Sequence, residues 1–242
     1  MKKHIPNILT LFNLLSGLIA LLFVFKQQWS LVAVFVGLGI IFDYLDGFAA
    51  RLLKVASPVG LQLDSLADMV TSGLVPAFTM FFLIQNLLSI DVIYDFKWDF
   101  KHLLPFTGLA IALGSALRLA KFNVDDRQTS SFIGLPTPAN ALFIIAIPLV
   151  LISQTAGYRL FQSPYTLSFI SILSAYILNA DIALFSLKFK DFSWNHNKEK
   201  YILLGSALLF IPVFKFSGII MIILLYVFLS IVFNTLKKKD EN

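Results

Sequence analysis

Long apolar runs dominate this chain, and short polar segments divide them at nearly regular intervals. A transmembrane helix needs about 20 mostly apolar residues. By that rule the pattern predicts eight membrane-spanning helices, at residues 8–25, 30–51, 60–85, 103–122, 137–154, 164–185, 201–215 and 217–236. The last two runs are short and meet near Pro212 and Lys215, so they could form a helical hairpin or one bent element. The expected fold is all-α, a polytopic transmembrane helix bundle.

Composition supports a membrane protein and excludes an ordinary soluble domain. Hydrophobic residues make up 58% of the 242 residues and charged residues only 14%, whereas soluble domains carry about 25% charged residues. The mean hydropathy is +0.82. The chain has no cysteine, which excludes disulfides and thiolate metal sites. Because no separate soluble segment stands out, residues 1–242 are expected to form a single integral-membrane domain.

Basic residues alternate between the two sides of the predicted bundle. Fourteen Lys and Arg fall in one set of segments and five in the other. The positive-inside rule assigns the richer set, both termini and residues 43–68 to the cytoplasmic side. The richer set is Lys2, Lys3, Arg51, Lys54, Arg118, Lys121, Arg127, Lys188, Lys190, Lys198, Lys200 and Lys237, Lys238 and Lys239, and the poorer set is Lys26, Lys97, Lys101, Arg159 and Lys215. Because these cations are scattered over loops rather than gathered in one patch, nucleic acid is not an expected partner.

Four carboxylates lie within 26 residues of this otherwise apolar chain. Asp43 and Asp46 share one face of the second predicted helix, since they are three residues apart. Asp64 and Asp68 are one turn apart on the next helix. Ser57 precedes a proline between the two pairs, which favours a turn and a new helix start. Two antiparallel helices can therefore present all four carboxylates to one another.

Ionisable residues at membrane depth are costly and usually functional. Carboxylate oxygens favour hard cations such as Mg²⁺, Mn²⁺ or Ca²⁺ over zinc. The cluster therefore predicts a divalent-metal site acting on an anionic substrate, in which paired ions could serve a phosphoryl displacement. The small residues Gly47, Ala50 and Gly60 would let a ligand approach the backbone, and Arg51 could hold a phosphate. Helix packing with an Arg–Asp ion pair is the alternative reading of these residues.

The spacing D-x2-D-G-x2-A-R-x8-G-x3-D-x3-D, from Asp43 to Asp68, resembles the signature of the CDP-alcohol phosphotransferases. The resemblance implies a six-helix catalytic core at about residues 5–185, followed by two additional spans at about 201–236. It implies that Asp43, Asp46 and Asp64 bind metal, and that Asp68 binds a second metal and is the catalytic base. It also implies that Gly47, Ala50, Arg51 and Gly60 lie along the CDP group. Two Mg²⁺ or Mn²⁺ ions are the expected cofactors, with Ca²⁺ as the alternative.

Three further segments resemble the serine-using branch of that family, the integral-membrane phosphatidylserine synthases of bacteria. They are the opening Ile5–Gly17, the helix continuation Leu66–Pro76, and Arg118–Asn123 followed by Gly134–Ala139. This likeness implies transfer of the phosphatidyl group of CDP-diacylglycerol to L-serine in the bacterial cytoplasmic membrane. A homodimer is a further expectation from the likeness. Glycerol 3-phosphate or inositol as acceptor is the alternative within the family.

Several polar residues outside the signature are candidates for substrate binding. Arg118 could pair with the serine carboxylate or a lipid phosphate, whereas Lys121 is expected to anchor the chain at the membrane surface. Asn123 could bind substrate or cap its helix. Asn7 and Thr10 are expected near the cytidine, although they could instead satisfy free helix amides.

The remaining candidates have stronger structural alternatives. Thr71 and Ser72 could line the acceptor pocket, but such residues in membrane helices more often bond a carbonyl or a neighbouring helix. Asp181 has no assigned role. From another functional class, the acids could line the pathway of a cation transporter. That reading expects acids on several spans near the bilayer midplane, whereas here they lie on two adjoining helices at one face. A non-catalytic lipid-binding scaffold is a third reading, which the intact acids and arginine disfavour.

Overall fold

Helices make up nearly all of the structure, a computed structural model that describes residues 4–55, 57–124, 132–185, 193–194 and 197–240. The elements in chain order are α1 Ile5–Phe25, α2 Trp29–Leu53, α3 Pro58–Asp68, a π-helical segment Met69–Leu74, α4 Val75–Leu88, α5 Phe100–Leu103, a 3₁₀ turn Leu104–Leu109, α6 Ala110–Val124, β1 Phe132–Ile133, α7 Thr137–Ser153, a 3₁₀ turn Tyr158–Gln162, α8 Pro164–Asn179, β2 Ala183–Leu184, α9 Lys198–Phe214 and α10 Phe216–Asp240. Lys2, Lys3, Arg127, Lys188 and Lys190, which belong to the predicted cytoplasmic set, lie outside the described residues.

The all-α fold class is confirmed, and each of the eight predicted runs contains a helix in the structure. Among the described residues, five helical stretches are long and apolar enough to cross a membrane: Ile5–Phe25, Trp29–Leu53, Pro58–Leu88, Phe100–Val124 and Phe216–Phe233. Thr137–Ser153 is a shorter apolar helix. Large apolar side chains such as Leu22 and Leu113 are exposed on the outer faces of these helices, as expected of surfaces that face lipid.

The predicted end of the sixth helix is wrong. That run was expected to continue to residue 185, but α8 ends at Asn179 and the backbone of Ala180 is extended. The following residues pair instead with β1, so that Phe132 faces Leu184 and Ile133 faces Ala183 in an antiparallel ladder.

A left-handed residue separates the two C-terminal helices. Lys215 has a φ of 52° and lies between α9 and α10. The two helices pack on each other, and a side chain at Gly218 would collide with the backbone of Phe210. Residues 198–240 therefore form a helical hairpin rather than one bent element.

The first helix packs through a stripe of small and polar residues. Thr10, Asn13, Ser16, Gly17 and Ala20 are buried on one face of α1. Their spacing of three or four residues is that of one helical face. Small residues allow close helix approach in membranes, and this face packs against α2, α3 and the π-helical segment.

A tight connection brings the two acid pairs together. Lys54 ends α2 in a left-handed conformation, with a φ of 54°. Ser57 then caps α3, because its Oγ accepts a hydrogen bond from the Gly60 amide at 3.0 Å, and Pro58 occupies the first turn. The chain reverses within a few residues, so Asp64 and Asp68 face the inner end of α2.

Candidate active site

Three of the four predicted acids converge where α2 and α3 meet. One carboxylate oxygen from each of Asp43, Asp46 and Asp64 lies within 4.8 Å of the others. Asp46 is buried, whereas Asp43 and Asp64 are half-buried. Like charges at this separation repel strongly in a low-dielectric site. The arrangement is one that a bound cation would stabilise.

The donor set fits a hard divalent cation. It consists of carboxylate oxygens alone, the ligands that Mg²⁺, Mn²⁺ and Ca²⁺ prefer. One oxygen of Asp64, Oδ1, is buried and has no hydrogen-bond partner among the described residues. A buried, unpaired carboxylate oxygen is costly, so this atom has the free coordination capacity that a ligand atom requires.

Asp46 is fixed by the first helix. The Thr10 hydroxyl donates to Asp46 Oδ2 at 2.5 Å. Thr10 Oγ1 also lies 3.0 Å from the carbonyl oxygen of Pro6. Thr10 is 2% exposed, so it holds the carboxylate from the interior. The sequence predicts Thr10 near the cytidine; in the structure its hydroxyl contacts Asp46, and the residue also lines the cavity beside the acids.

Asp68 is buried like Asp46 but has a different partner. It is buried at the end of α3 and accepts a hydrogen bond from Asn13 Nδ2 at 3.2 Å. Asp43 and Asp64 are close enough to interact with it electrostatically. Asp68 therefore belongs to the same charged cluster, but it is not one of the three converging carboxylates.

Asn13 is a residue that the sequence reasoning did not single out. Its side chain contacts Asp68, and its backbone carbonyl accepts a hydrogen bond from the Thr71 hydroxyl at 3.1 Å. The available signal was its place in a polar stripe with Asn7 and Thr10, at intervals of three residues in an apolar helix. Thr71 thus takes the structural role that was the alternative to lining a pocket.

An open cavity of about 250 Å³ adjoins the acids. The predicted nucleotide-binding residues all contribute to it, together with two acids and the start of α3. Its lining comprises Pro6, Asn7, Thr10, Asp46, Gly47, Ala50, Arg51, Val55, Ser57, Gly60, Leu61 and Asp64. Arg51 is exposed at this cavity, so its guanidinium is available to an anionic ligand.

The glycines of the cavity differ in the space around them. A Cβ at Gly60 would lie 3.1 Å from Ser57 Oγ and 3.2 Å from Asn7 Oδ1, which is tight. A Cβ at Gly47 would meet only an Arg51 nitrogen, at 3.6 Å. Gly60 is therefore closely packed against Ser57 and Asn7, whereas Gly47 leaves space that a ligand could use.

Arg118 is not among the residues that line this cavity. It is 6% exposed on α6, interacts electrostatically with Asp68, and donates from Nη2 to the Gly134 carbonyl at 3.4 Å. Its Nε has no partner among the described residues. A nearly buried guanidinium with an unused donor is a candidate anion-binding group, whereas Lys121 is exposed.

Two buried hydroxyls lie close in the sequence to Asp68 and Arg118. Ser72 Oγ, four residues after Asp68, and Ser115 Oγ, three residues before Arg118, have no partners among the described residues. The π-helical segment that carries Ser72 packs against α6, and a Cβ at Gly73 would lie 3.2 Å from the Ser115 Cβ. Such π-helical turns are frequent at functional sites.

Asn123 lies outside the cavity lining. Its Nδ2 donates to Ser65 Oγ at 2.9 Å and its Oδ1 accepts from the same hydroxyl at 3.2 Å, while Gln62 lies 3.5 Å away. Asn123 therefore joins the end of α6 to α3.

Comparison with known proteins finds a matching family profile and several similar proteins. The sequence profile of the family described as CDP-alcohol phosphatidyltransferase matches residues 3–185. A CDP-diacylglycerol–serine O-phosphatidyltransferase of Bacillus subtilis is 31% identical over 164 residues, which are 64% of this chain and 84% of that protein. A protein of the same name from Methanocaldococcus jannaschii is 33% identical over 141 residues, 58% of each chain. An archaetidylserine synthase of Methanothermobacter thermautotrophicus is 30% identical over 142 residues, 58% of this chain and 55% of that protein.

Proposed function

Because this chain belongs to the CDP-alcohol phosphatidyltransferase family, we propose that it transfers the phosphatidyl group of CDP-diacylglycerol to the hydroxyl of L-serine and releases CMP. The observation that carries the proposal is the convergence of Asp43, Asp46 and Asp64 beside a cavity that Arg51 also lines. The choice of serine draws on the relatives, which are named as serine transferases.

The cavity beside the acids suits the nucleotide end of the lipid substrate. Gly47 and Ala50 leave room against α2, and Arg51 offers a forked donor to a phosphate. Asn7 and Gly60 line the same cavity, so a cytidine could lie against them. The acyl chains would remain in the membrane, alongside the exposed apolar faces of the helices.

Asp43, Asp46 and Asp64 would hold a divalent ion, and Asp68 would contribute to a second. When bound, such ions offset the charge of the pyrophosphate and help the leaving group depart. Thr10 keeps Asp46 in place by donating to it. This hydrogen bond would restrict the orientation of the Asp46 carboxylate.

Asp68 would remove the proton from the serine hydroxyl. The hydroxyl oxygen then forms a bond to the phosphorus that carries diacylglycerol, and the bond from that phosphorus to the CMP oxygen breaks. Asn13 donates to Asp68 Oδ1, which orients the carboxylate and leaves its other oxygen for the proton. As in other phosphoryl transfers, the rate would depend mainly on position and charge.

Arg118 would bind the carboxylate of the acceptor. Its unpartnered Nε and its proximity to Asp68 support this role. The unpartnered hydroxyls of Ser72 and Ser115 are available to the same acceptor. Asn123, through Ser65, would fix α6 against α3 and so keep Arg118 opposite Asp68.

The proposed active site opens to the cytoplasm. Both termini would lie on that side as well, because fourteen of the nineteen basic residues fall in the segments that share it. CDP-diacylglycerol would then enter from the cytoplasmic leaflet, and serine from the cytosol.

The test is CMP release by the purified protein in detergent micelles that contain CDP-diacylglycerol. We expect release with L-serine, loss of release with EDTA, and recovery with excess Mg²⁺ or Mn²⁺. The melting temperature should rise with the same ions, since ligands that bind the folded state stabilise it.

A panel of acceptors distinguishes the alternatives. Glycerol 3-phosphate and inositol should support much less release than serine, and the lipid product should contain serine. Release with glycerol 3-phosphate or inositol at the rate seen with serine would contradict the acceptor assignment. Cation flux into liposomes without lipid turnover would instead favour a transporter.

A further inference from the structure

The position of Arg118 depends on a backbone carbonyl from a distant part of the chain. Its Nη2 donates to the Gly134 carbonyl, and its guanidinium lies 5.9 Å from the ring centre of Phe122. Gly134 has a φ of +76°, a conformation that favours glycine. An added Cβ there would collide with the Leu178 carbonyl. The segment that carries this acceptor is therefore fixed in one conformation.

The acceptor segment is held in turn by the residues after α8. The Gly134 amide donates to the Ile182 carbonyl at 2.9 Å. Directly beside this bond, the β1–β2 ladder pairs Ile133 with Ala183. These bonds connect the position of the Gly134 carbonyl to that of residues 182–184.

Residues 182–185 are anchored by the last helix. The hydroxyl of Tyr226, on α10, donates to the Phe185 carbonyl at 3.0 Å. The two rings pack edge to face, with centres 5.0 Å apart and an angle of 81°. Tyr226 is 7% exposed and is buried with Leu135 and Leu184. One buried hydroxyl thus links α10 to the segment that positions the arginine.

We infer that Tyr226 is a positioning residue for acceptor binding, which acts by fixing the Phe185 carbonyl and, through the β1–β2 ladder, the Gly134 carbonyl that orients Arg118. The inference rests on the proposed function, in which Arg118 binds the acceptor carboxylate. It gives α10 a part in the reaction, although this helix lies beyond residues 3–185, which the family profile matches. Acceptor binding would then depend on a helix outside the matched region.

The experiment compares Tyr226→Phe with the wild type in phosphatidyl transfer to L-serine. The substitution keeps the ring and removes only the hydroxyl, so the protein should fold, and the melting temperature checks this. We expect KM for serine to rise about fivefold, the effect of one neutral hydrogen bond. KM for CDP-diacylglycerol should stay within twofold, because the cavity residues lie on α1, α2 and α3.

The matched control is Ser230→Ala. This residue is also buried on α10, but among the described residues its hydroxyl donates only to the Tyr226 carbonyl of its own helix, at 2.8 Å. Both KM values of the control should match those of the wild type.

The outcomes separate this inference from the proposed function. A wild type that transfers nothing to serine would contradict the proposed function itself. If the wild type is active and the Tyr226→Phe variant keeps its serine KM, the positioning role alone is wrong. An equal rise of both KM values would indicate general loosening of the fold and would also overturn the positioning role.

Discussion

The four acids of the cluster have different surroundings, and these predict different roles. Asp46 and Asp68 are buried and each accepts a hydrogen bond from α1, Asp46 from Thr10 and Asp68 from Asn13. Asp43 and Asp64 are half-buried, and their carboxylates approach Asp46. Asp68 is enclosed and oriented like Asp46, but it is not one of the three converging carboxylates, which suits a group that must receive a proton at one position.

Replacing Asp68 with asparagine should abolish most of the turnover. Asn has the same shape and can still pair with Asn13, so the fold should survive, but its amide cannot accept the proton. We expect kcat for CMP release with serine to fall by about 10²- to 10⁴-fold, the usual contribution of a general base. Asp181→Asn is the control, because Asp181 is an exposed acid after α8. Turnover of Asp68→Asn near that of the wild type would refute the base assignment.

Replacing Asn13 with alanine should lower kcat without changing the affinity for serine. The change removes the donor to Asp68 Oδ1, and a hydrogen bond to a charged group contributes about 1.5–3 kcal/mol. We expect kcat to fall about tenfold or more. Thr71 should keep its bond, because it donates to the Asn13 backbone.

The control for Asn13 lies one turn further along the same helix. Ser16→Ala removes a hydroxyl whose one acceptor in the described part of the chain is the Phe12 carbonyl, at 2.8 Å. Steady-state kinetics of both variants, with melting temperatures, checks the prediction. Equal kcat values for the two variants would show that Asn13 does not position the base.

At the scale of the helices, sequence pattern predicted where each helix lies but not how two of them end or bend. Hydrophobic length located all eight runs, since apolar stretches can be counted. It could not show the π-helical segment Met69–Leu74, which packs against α1 and α6 and has no hydrophobic pattern of its own to mark it. It also extended α8 past Asn179, because the apolar residues of β2 continue the same hydrophobic run.

The acidic part of the site was predictable, because ionisable residues are rare in apolar membrane helices and are usually functional. Asp43, Asp46 and Asp64 converge as their spacing indicated. Asn13 was missed because an uncharged residue in a membrane helix more often serves helix packing. Asn13 reaches Asp68 because α1 packs against α3 in the folded chain. Tertiary contacts of this kind leave no signal in spacing along one helix.

Replacing Gly47 with alanine should raise stability but weaken binding of CDP-diacylglycerol, because the new methyl group fits the fold but occupies cavity space. Gly47→Ala should stabilise α2 by about 0.5–1 kcal/mol, since glycine weakens a helix interior by that amount. The added methyl group would meet only an Arg51 nitrogen, at 3.6 Å, but it would enter the cavity. We expect KM for CDP-diacylglycerol to rise about tenfold, which corresponds to about 1.4 kcal/mol.

Gly37→Ala is the matched control on the same helix. A Cβ at Gly37 meets nothing within 4 Å, and this residue does not line the cavity. The control should therefore gain stability and keep the KM of the wild type. The measurements are melting temperature and initial rates at varied CDP-diacylglycerol. An unchanged KM for Gly47→Ala would contradict the placement of the ligand against α2.

On the scale of the whole molecule, a small charged site lies within a bundle whose outer surface is largely apolar. Exposed Leu, Ile and Phe side chains cover the helices, while the acids, Arg51 and Arg118 gather near the ends of α2, α3 and α6. A water-soluble acceptor and a lipid substrate can meet only where such a site reaches the membrane surface. Function therefore depends on which side of the membrane this end of the bundle faces.

The absence of cysteine makes that orientation directly measurable. Tyr94→Cys and Val124→Cys each introduce one thiol at a site where the native side chain is 89% or 80% exposed. Neither change alters the asymmetry of basic residues that sets orientation. In intact spheroplasts a membrane-impermeant maleimide should label only Tyr94→Cys, and after permeabilisation it should label both variants. The cysteine-free wild type gives the background. Labelling of Val124→Cys before permeabilisation would place the end of α6, and with it Arg118, on the outer side, where cytosolic serine could not reach the proposed site.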